Sequence, residues 1–214
     1  MRLLSRWQNS AGERVRIALR LKGLEFTYVP VSSLAPGVYK ALNPQGLLPA
    51  LDIEGRIVAQ SSAILEYLEE VYPEPSLLPS DPVTRAQARA FAAHIASEMH
   101  AITVQRIRRF LQADLAIDQA GIDRWMLHWL GLGFAALEAT LSHRAVNWPF
   151  CFGGEPGWAD LHLMPQMSSA RRFGCDLSSY PLLQSIEQRC SPLDAFRLSR
   201  PEAQPDFPSG QASS

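Results

Sequence analysis

The residues with the clearest chemical potential stand where two helices are predicted to begin. Asn9-Ser10 followed by Glu13 forms an S-x-x-E capping box ahead of apolar residues at helical spacing. Gln60-Ser61 opens a second helix. The N–H groups and the positive dipole end of a helix start favour a bound anion, and a serine hydroxyl adds a donor. A plain N-cap uses the same atoms, so these residues leave a structural and a binding role open.

Cysteine and histidine offer no further catalytic or metal-binding pattern. Cys151, Cys175 and Cys190 are an odd number of cysteines without C-x-x-C spacing, which argues against a disulfide framework, a zinc site or a dithiol redox centre. This usage fits a reducing cytoplasm. The histidines are scattered without metal-ligand spacing, so no metal is expected. They are His94, His100, His128, His143 and His162.

Composition and charge exclude several classes of protein. The 214 residues are 47% hydrophobic and 19% charged, which is typical of a globular protein of one or two units. A net charge of −1, from 20 basic and 21 acidic residues, gives no global reason to expect nucleic acid or an anionic membrane as partner. No apolar run is long enough to span a bilayer, and the N-terminal one is too short for a signal peptide. A cytoplasmic protein is expected.

The first elements are predicted to form a parallel strand–helix–strand unit. Leu3–Trp7 reads as a strand, and the helix after Ser10 carries apolar residues at helical spacing. Lys22-Gly23 ends this helix, and the aromatic and branched residues of Phe26–Val31 predict a second strand.

The next elements complete a thioredoxin-like domain over residues 1–72. Ala50–Ile53 and Arg56–Ala59 are predicted to form a hairpin. Ser61 or Ser62 is then expected to cap a helix. The order βαβ followed by ββα is that of an α/β sheet with helices on both faces.

A proline-rich linker and an all-helical domain are predicted to follow. Residues 73–82 contain four prolines, which a helix or an inner strand does not sustain. Residues 83–200 are rich in helix formers and predict an all-α domain, and residues 201–214 have the composition of a flexible tail. Helices are expected near 83–113, 118–142, 158–173 and 181–190.

Several strings spread over nearly the whole chain resemble the glutathione transferase superfamily, and within it the zeta class. That class contains glutathione-dependent cis–trans isomerases, and a thioredoxin-like domain joined to an all-helical domain is its layout. The strings are Arg14-Val15-Arg16-Ile17-Ala18-Leu19, Ala41-Leu42-Asn43-Pro44-Gln45, Leu48-Pro49-Ala50-Leu51, Gln60-Ser61, Ala63-Ile64-Leu65-Glu66-Tyr67-Leu68, Pro165-Gln166 and Ser169-Ala170-Arg171-Arg172-Phe173.

The resemblance implies a glutathione site in the first domain. Leu48 would pair its backbone with the cysteinyl unit of glutathione, and Pro49 would be the cis proline that follows it. Gln60 and Ser61, at a helix start, would bind the γ-glutamyl carboxylate. His100 is the histidine expected near glutathione.

The resemblance also places the glutathione thiol at the start of the first helix. There the N–H groups and the dipole favour thiolate over thiol, and a donating hydroxyl adds a hydrogen bond made only to the charged form. Ser10 is the first candidate for this catalytic role, and the capping box is an equally weighted alternative role for its hydroxyl. Asn9, which can donate from its amide, is the second candidate.

The expected substrate site departs from the pattern of the isomerases. Gln8 stands where they have an arginine for a substrate carboxylate, and an amide offers neither the charge nor the bidentate fork. Arg172 matches their second substrate arginine, and a solvated charge near a helix C-terminus is an equally weighted alternative for it. Arg106 matches a basic position of the isomerases. Arg108 and Arg109 are interpreted as surface charges.

Two further departures concern polar residues of the isomerases. Ala11 replaces a cysteine or threonine, and Thr103-Val104 replaces an asparagine-bearing stretch. Each substitution removes a polar contact expected near the thiol or the substrate.

The resulting functional expectation keeps three possibilities open. The first is a glutathione-dependent enzyme whose thiolate attacks an electrophile, with cis–trans isomerisation of a maleyl-type acid as one outcome. The others are a transferase that conjugates glutathione to electrophiles and a non-catalytic glutathione-binding or regulatory protein. The resemblance further implies a homodimer with Ala63–Val71 near its interface.

Overall fold

The computed structural model of the chain describes residues 1–208 and divides into two compact units. One comprises Met1–Leu77 together with the described residues from Ser191 onward, and the other is Leu78–Cys190. The last residues of the predicted helical domain therefore belong to the first unit. Within residues 1–208, no helix combines the length and apolar character that crossing a bilayer requires.

The first unit contains a four-stranded mixed sheet with the strand order β2-β1-β3-β4. β1 is parallel to β2 and antiparallel to β3, and β3 forms a hairpin with β4. Leu3 and Leu51 are fully buried and lie opposite each other in the ladder, so the core lies against the two central strands. This is the predicted thioredoxin-like order. The strands are β1 (Arg2–Ser5), β2 (Thr27–Pro30), β3 (Ala50–Ile53) and β4 (Arg56–Ala59).

Two of the three helices that follow these strands pack their apolar faces together. The helices are α1 (Ser10–Leu21), α2 (Val38–Leu42) and α3 (Ser61–Val71). The buried ammonium of Lys22, just after α1, donates to the carbonyls of Tyr72 at 2.7 Å and Pro75 at 3.0 Å, and pairs with Glu69 of α3 at 2.6 Å. These contacts tie the end of α1 to the end of α3.

The second unit is all-helical, as predicted, but the single helix expected over 83–113 is wrong. It is interrupted by a π-helical segment at His94–His100 and by extended backbone at Val104. The Thr103 hydroxyl donates to the Met99 carbonyl at 2.8 Å, a back-bond of the kind that bends helices. The helices are α4 (Pro82–Ala93), α5 (Ala101–Thr103), α6 (Gln105–Ala113), α7 (Gln119–Ser142), α8 (Trp158–Arg172) and α9 (Pro181–Cys190).

The flexible tail predicted from residue 201 is wrong for residues 201–208. After α10 (Asp194–Arg197), a short 3-10 helix spans Pro201–Ala203, and Gln204 is buried. The Gln204 amide donates to the carbonyls of Leu198 at 3.0 Å and Arg200 at 2.8 Å. A polar composition therefore does not prevent this segment from being anchored, because its side chains close hydrogen bonds onto backbone. Residues 209–214 lie outside the described part of the chain.

Candidate functional site

The start of α1 is capped by Asn9 and not by Ser10. Asn9 has extended backbone, and its side-chain oxygen accepts a hydrogen bond from the Gly12 N–H. Ser10 is the first residue of the helix, is buried, and takes no part in the cap. The predicted capping box, with Ser10 as its cap, is therefore wrong by one residue. The hydroxyl of Ser10 stands among the first N–H groups of the helix, where a thiolate would be favoured.

Gly12 explains why the cap moves to Asn9. A β-carbon at Gly12 would stand 2.1 Å from the Ser5 hydroxyl and 2.7 Å from the Asn9 side-chain oxygen. The missing side chain lets Asn9 approach the Gly12 N–H directly. The side-chain oxygen of Asn9 is engaged in this bond, and its amide nitrogen is the only hydrogen-bond donor of that side chain.

The loop before β3 presents the residues predicted to align glutathione. The Leu48–Pro49 peptide is cis, as the resemblance implied, and Pro49 is buried. Asn43 and Tyr39 both donate to the Leu47 carbonyl, at 2.8 and 2.5 Å. Within residues 1–208, no turn, loop or cap hydrogen bond engages the backbone of Leu48.

The start of α3 combines an unusual backbone with an uncapped first turn. Gln60 has φ 71° and ψ 119°, a conformation that a residue other than glycine rarely adopts and that clusters at functional sites. Its side chain makes no capping bond and instead donates to Gln45 at 2.6 Å. Ser61 is the first helical residue and is buried, so the predicted cap by Ser61 or Ser62 is wrong. The first N–H groups of α3 therefore remain oriented for an anion.

The remaining predicted site residues fall in different surroundings. Gln8 is exposed, in the first unit, one residue before the cap of α1. His100 is half-buried and ends the π-helical segment of the second unit. Arg106 is exposed in the first turn of α6. Arg172 is the exposed last residue of α8, and one of its nitrogens lies 3.3 Å from the Ser168 hydroxyl.

Arg108, which the sequence suggested to be a surface charge, lies near Arg172 and the end of α8. Its guanidinium carbon is 4.6 Å from the ring centroid of Phe173, the residue that follows α8. Burial lowers the pKa of Arg108, and the charges of Arg172 and Arg109 lower it further. Its Nε is buried and makes no hydrogen bond within the described residues.

Helix phase distinguishes Arg108 from Arg106. Residues two apart on an α-helix point about 200° apart, so only one of them can face the end of α8. Two neighbouring cations, one with an unpaired donor, form an arrangement that an anion would stabilise. The aromatic residue after Arg172 was the one sequence signal that could have suggested this partner.

No group of three or more histidine, cysteine or acidic residues within residues 1–208 is arranged to hold a metal ion.

Comparisons with known proteins place this chain in a family. The sequence model of the glutathione S-transferase N-terminal domain matches residues 10–71. A maleylpyruvate isomerase of a Ralstonia species is 42% identical over 210 residues, covering 96% of this chain and 99% of its own length.

Solved structures extend the similarity to the whole fold. The holo structure of a maleylpyruvate isomerase, described as a bacterial zeta-class glutathione S-transferase, is 42% identical with a TM-score of 0.92, covering 97% of this chain and 100% of that one. A maleylacetoacetate isomerase of Anaeromyxobacter dehalogenans, solved with dicarboxyethyl glutathione and citrate, is 37% identical with a TM-score of 0.86, covering 100% and 96%. This chain belongs to the glutathione transferase family and to its zeta class.

Proposed function

We propose that this chain is a glutathione-dependent cis–trans isomerase of a maleyl-type acid, such as maleylpyruvate or maleylacetoacetate. The observation that carries the proposal is the pair of helix starts on one sheet. One presents the buried Ser10 and the other the uncapped first turn at Ser61. The substrate class is that of two relatives, a maleylpyruvate isomerase and a maleylacetoacetate isomerase.

The first unit has groups that fit each end of glutathione. The first N–H groups of α3 and the Ser61 hydroxyl suit the γ-glutamyl carboxylate, which the positive helix end stabilises. The backbone of Leu48 suits the cysteinyl unit, in the manner of an added strand. In the second unit, His100 remains a proposed glutathione contact.

The chemical step depends on the start of α1. When bound, glutathione supplies a thiolate that adds reversibly to the double bond, and the bond can rotate before the thiolate leaves. Ser10 and the first N–H groups of α1 would stabilise the thiolate by hydrogen bonds that are made to the charged form only. Asn9 is the second donor, from its amide nitrogen.

The substrate carboxylates require cationic partners, since desolvating an unpaired carboxylate is costly. Arg172 and Arg108 form a positive pair in the second unit that suits one of them. Arg106 remains a further candidate, whereas Gln8 offers only a neutral amide. Isomerisation of a dianion is therefore expected to be slow.

A second candidate function is conjugation of glutathione to less anionic electrophiles. Gln8 is exposed and uncharged, and Ala11 places a methyl group beside Ser10, so both favour such substrates. A glutathione-binding protein without catalysis is the third candidate.

Turnover distinguishes these three functions. Maleylpyruvate is mixed with the protein, with and without glutathione, and conversion to the trans acid is followed by ultraviolet absorbance. Isomerisation that requires glutathione and returns it unconsumed is expected. A stable thioether product would favour the conjugating transferase, and glutathione binding without turnover of either kind would favour the binding protein.

The expected assembly is a cytoplasmic homodimer that pairs near α3. This helix keeps Val71, 48% exposed, at its C-terminal end, where a partner could cover it. Light scattering at micromolar protein should show twice the 23.8 kDa mass of one chain, and a species of 23.8 kDa alone would contradict the dimer.

A further inference from the structure

The loop that joins β1 to α1 is held at Trp7 by residues far away in the sequence. The Trp7 N–H donates to the carboxylate of Asp206 at 3.0 Å. The Trp7 carbonyl accepts a bond from the Arg16 guanidinium at 3.4 Å. Both backbone polar groups of Trp7 are thus engaged by partners outside the loop.

Asp206 is itself oriented by two contacts. Its second carboxylate oxygen accepts a hydrogen bond from the Tyr28 hydroxyl at 2.9 Å. Burial and this bond raise the pKa of Tyr28, so the hydroxyl remains protonated and donates. The neighbouring Phe207 packs edge-on against the Trp7 ring, with centroids 5.0 Å apart. The carboxylate therefore cannot move without disturbing several contacts.

Arg16 links the same loop to α1 and to the C-terminal segment. Its side chain is fully buried and donates to the Ser199 carbonyl at 2.9 Å. Its guanidinium carbon lies 5.9 Å from the ring centroid of Tyr28, the residue that holds Asp206. Within this unit, the C-terminal segment from Ser199 to Phe207 thus contacts both α1 and the loop that leads into it.

The position of Trp7 gives these contacts a functional consequence. Trp7 stands two residues before the cap Asn9 and three before Ser10. A shift of Trp7 would be transmitted through Gln8 to the N–H groups and the hydroxyl that face the thiol. Small displacements of such donors are costly, because about 1 Å can change a rate by two orders of magnitude.

We propose that Asp206 is a positioning residue, which holds the β1–α1 loop so that the start of α1 is aligned for the glutathione thiol. The inference rests on the proposed function for the identity of the thiol. The alignment of the loop can nevertheless be measured without glutathione.

The test compares Asp206→Ala and Phe207→Ala with a matched control, Glu202→Gln. Glu202 is an exposed acidic residue in the same C-terminal segment. Amide hydrogen exchange of residues 6–12 is followed by mass spectrometry in the protein without glutathione. Faster exchange in this peptide is expected for both alanine variants and not for the control, with little change in the four strands of the sheet.

Two further readouts use the protein with glutathione. Ultraviolet titration of the bound thiolate should show its pKa raised by about half a unit to one unit in Asp206→Ala. The value of kcat/KM should fall about tenfold, mainly through kcat. Asp206→Asn keeps an acceptor for the Trp7 N–H and should restore most of the exchange protection and most of the thiol pKa.

Unchanged exchange of residues 6–12 and an unchanged bound-thiol pKa in Asp206→Ala, with only a lower melting temperature, would overturn the proposal. If Asp206→Ala does not fold, Phe207→Ala and Asp206→Asn decide it by the same exchange measurement. If the unsubstituted protein fails to bind glutathione, the proposed function fails. Exchange in the glutathione-free chain still decides whether Asp206 holds the loop.

Discussion

Replacing Arg108 by glutamine tests the proposal that this arginine of α6 binds a substrate carboxylate. The Nε of Arg108 is buried without a hydrogen bond to any described residue, and Arg108 lies near Arg172, whereas Arg106 is exposed in the first turn of the same helix. Arg108→Gln should therefore lower kcat/KM for the maleyl-type acid. Arg106→Gln is the matched control, since it removes the same charge from the same helix.

The magnitude follows from the surroundings of Arg108. A hydrogen bond to a charged group contributes about 1.5–3 kcal/mol, and solvent screening at a half-exposed guanidinium favours the lower end. A loss of roughly 1.5 kcal/mol corresponds to about a tenfold lower kcat/KM. The free energy of unfolding of Arg108→Gln should differ little from that of the unsubstituted protein. The variant loses the contact with Phe173, which is worth about 0.5–1 kcal/mol, but it also loses the repulsion between Arg108 and Arg172.

The assay measures initial rates of isomerisation at saturating glutathione, with urea unfolding of each variant as the control for folding. About tenfold loss in Arg108→Gln beside less than about threefold loss in Arg106→Gln is expected. Equal losses, or a larger loss in Arg106→Gln, would show that the position of Arg108 near Arg172 has no part in binding the substrate.

Four other substitutions test separate parts of the structure. Ser61→Ala should weaken glutathione binding by about 1.5–3 kcal/mol through loss of a bond to a carboxylate, and calorimetric titration with unchanged affinity would remove Ser61 from the site. Ser10→Ala should raise the pKa of the bound thiol, because it removes a hydrogen bond made only to the thiolate and leaves the cap by Asn9 intact. An ultraviolet titration without a shift would mean that the N–H groups of the helix alone stabilise the thiolate. Gln8→Arg should raise kcat/KM for the maleyl-type acid about tenfold, which corresponds to about 1.4 kcal/mol. If the unsubstituted protein already turns over fast and Gln8→Arg does not improve it, the site does not lack a partner for a substrate carboxylate. Lys22→Met should lower the free energy of unfolding by about 3 kcal/mol, since it leaves Glu69 and two carbonyls without their buried partner, and urea unfolding that matches the unsubstituted protein would contradict this.

Much of the first unit could be predicted because its signals are local. The turn at Glu54-Gly55 and the branched residues on either side define β3 and β4, and the observed bounds are the predicted ones. The apolar spacing of Ile64, Leu65 and Leu68 defines the buried face of α3. In such elements the period of side chains along the chain decides which face is buried, so no distant contact is needed.

The features that sequence reasoning missed depend on neighbours distant along the chain or on the phase of a helix. Asn9 caps α1 because Gly12 leaves space beside Ser5, which only the folded loop brings there. The α6 arginines were ranked by their positions in a family pattern, whereas their rotation about the helix brings Arg108 to the end of α8.

The sequence by itself determined the strand–helix order, the zeta-class resemblance and the helix starts at which a glutathione site is proposed. Tertiary structure alone decided that Asp206 reaches Trp7, across 199 positions of sequence, and that residues 201–208 are anchored. The physical reason is that propensity and periodicity act over a few residues. A hydrogen bond between distant residues depends instead on where packing brings the two groups.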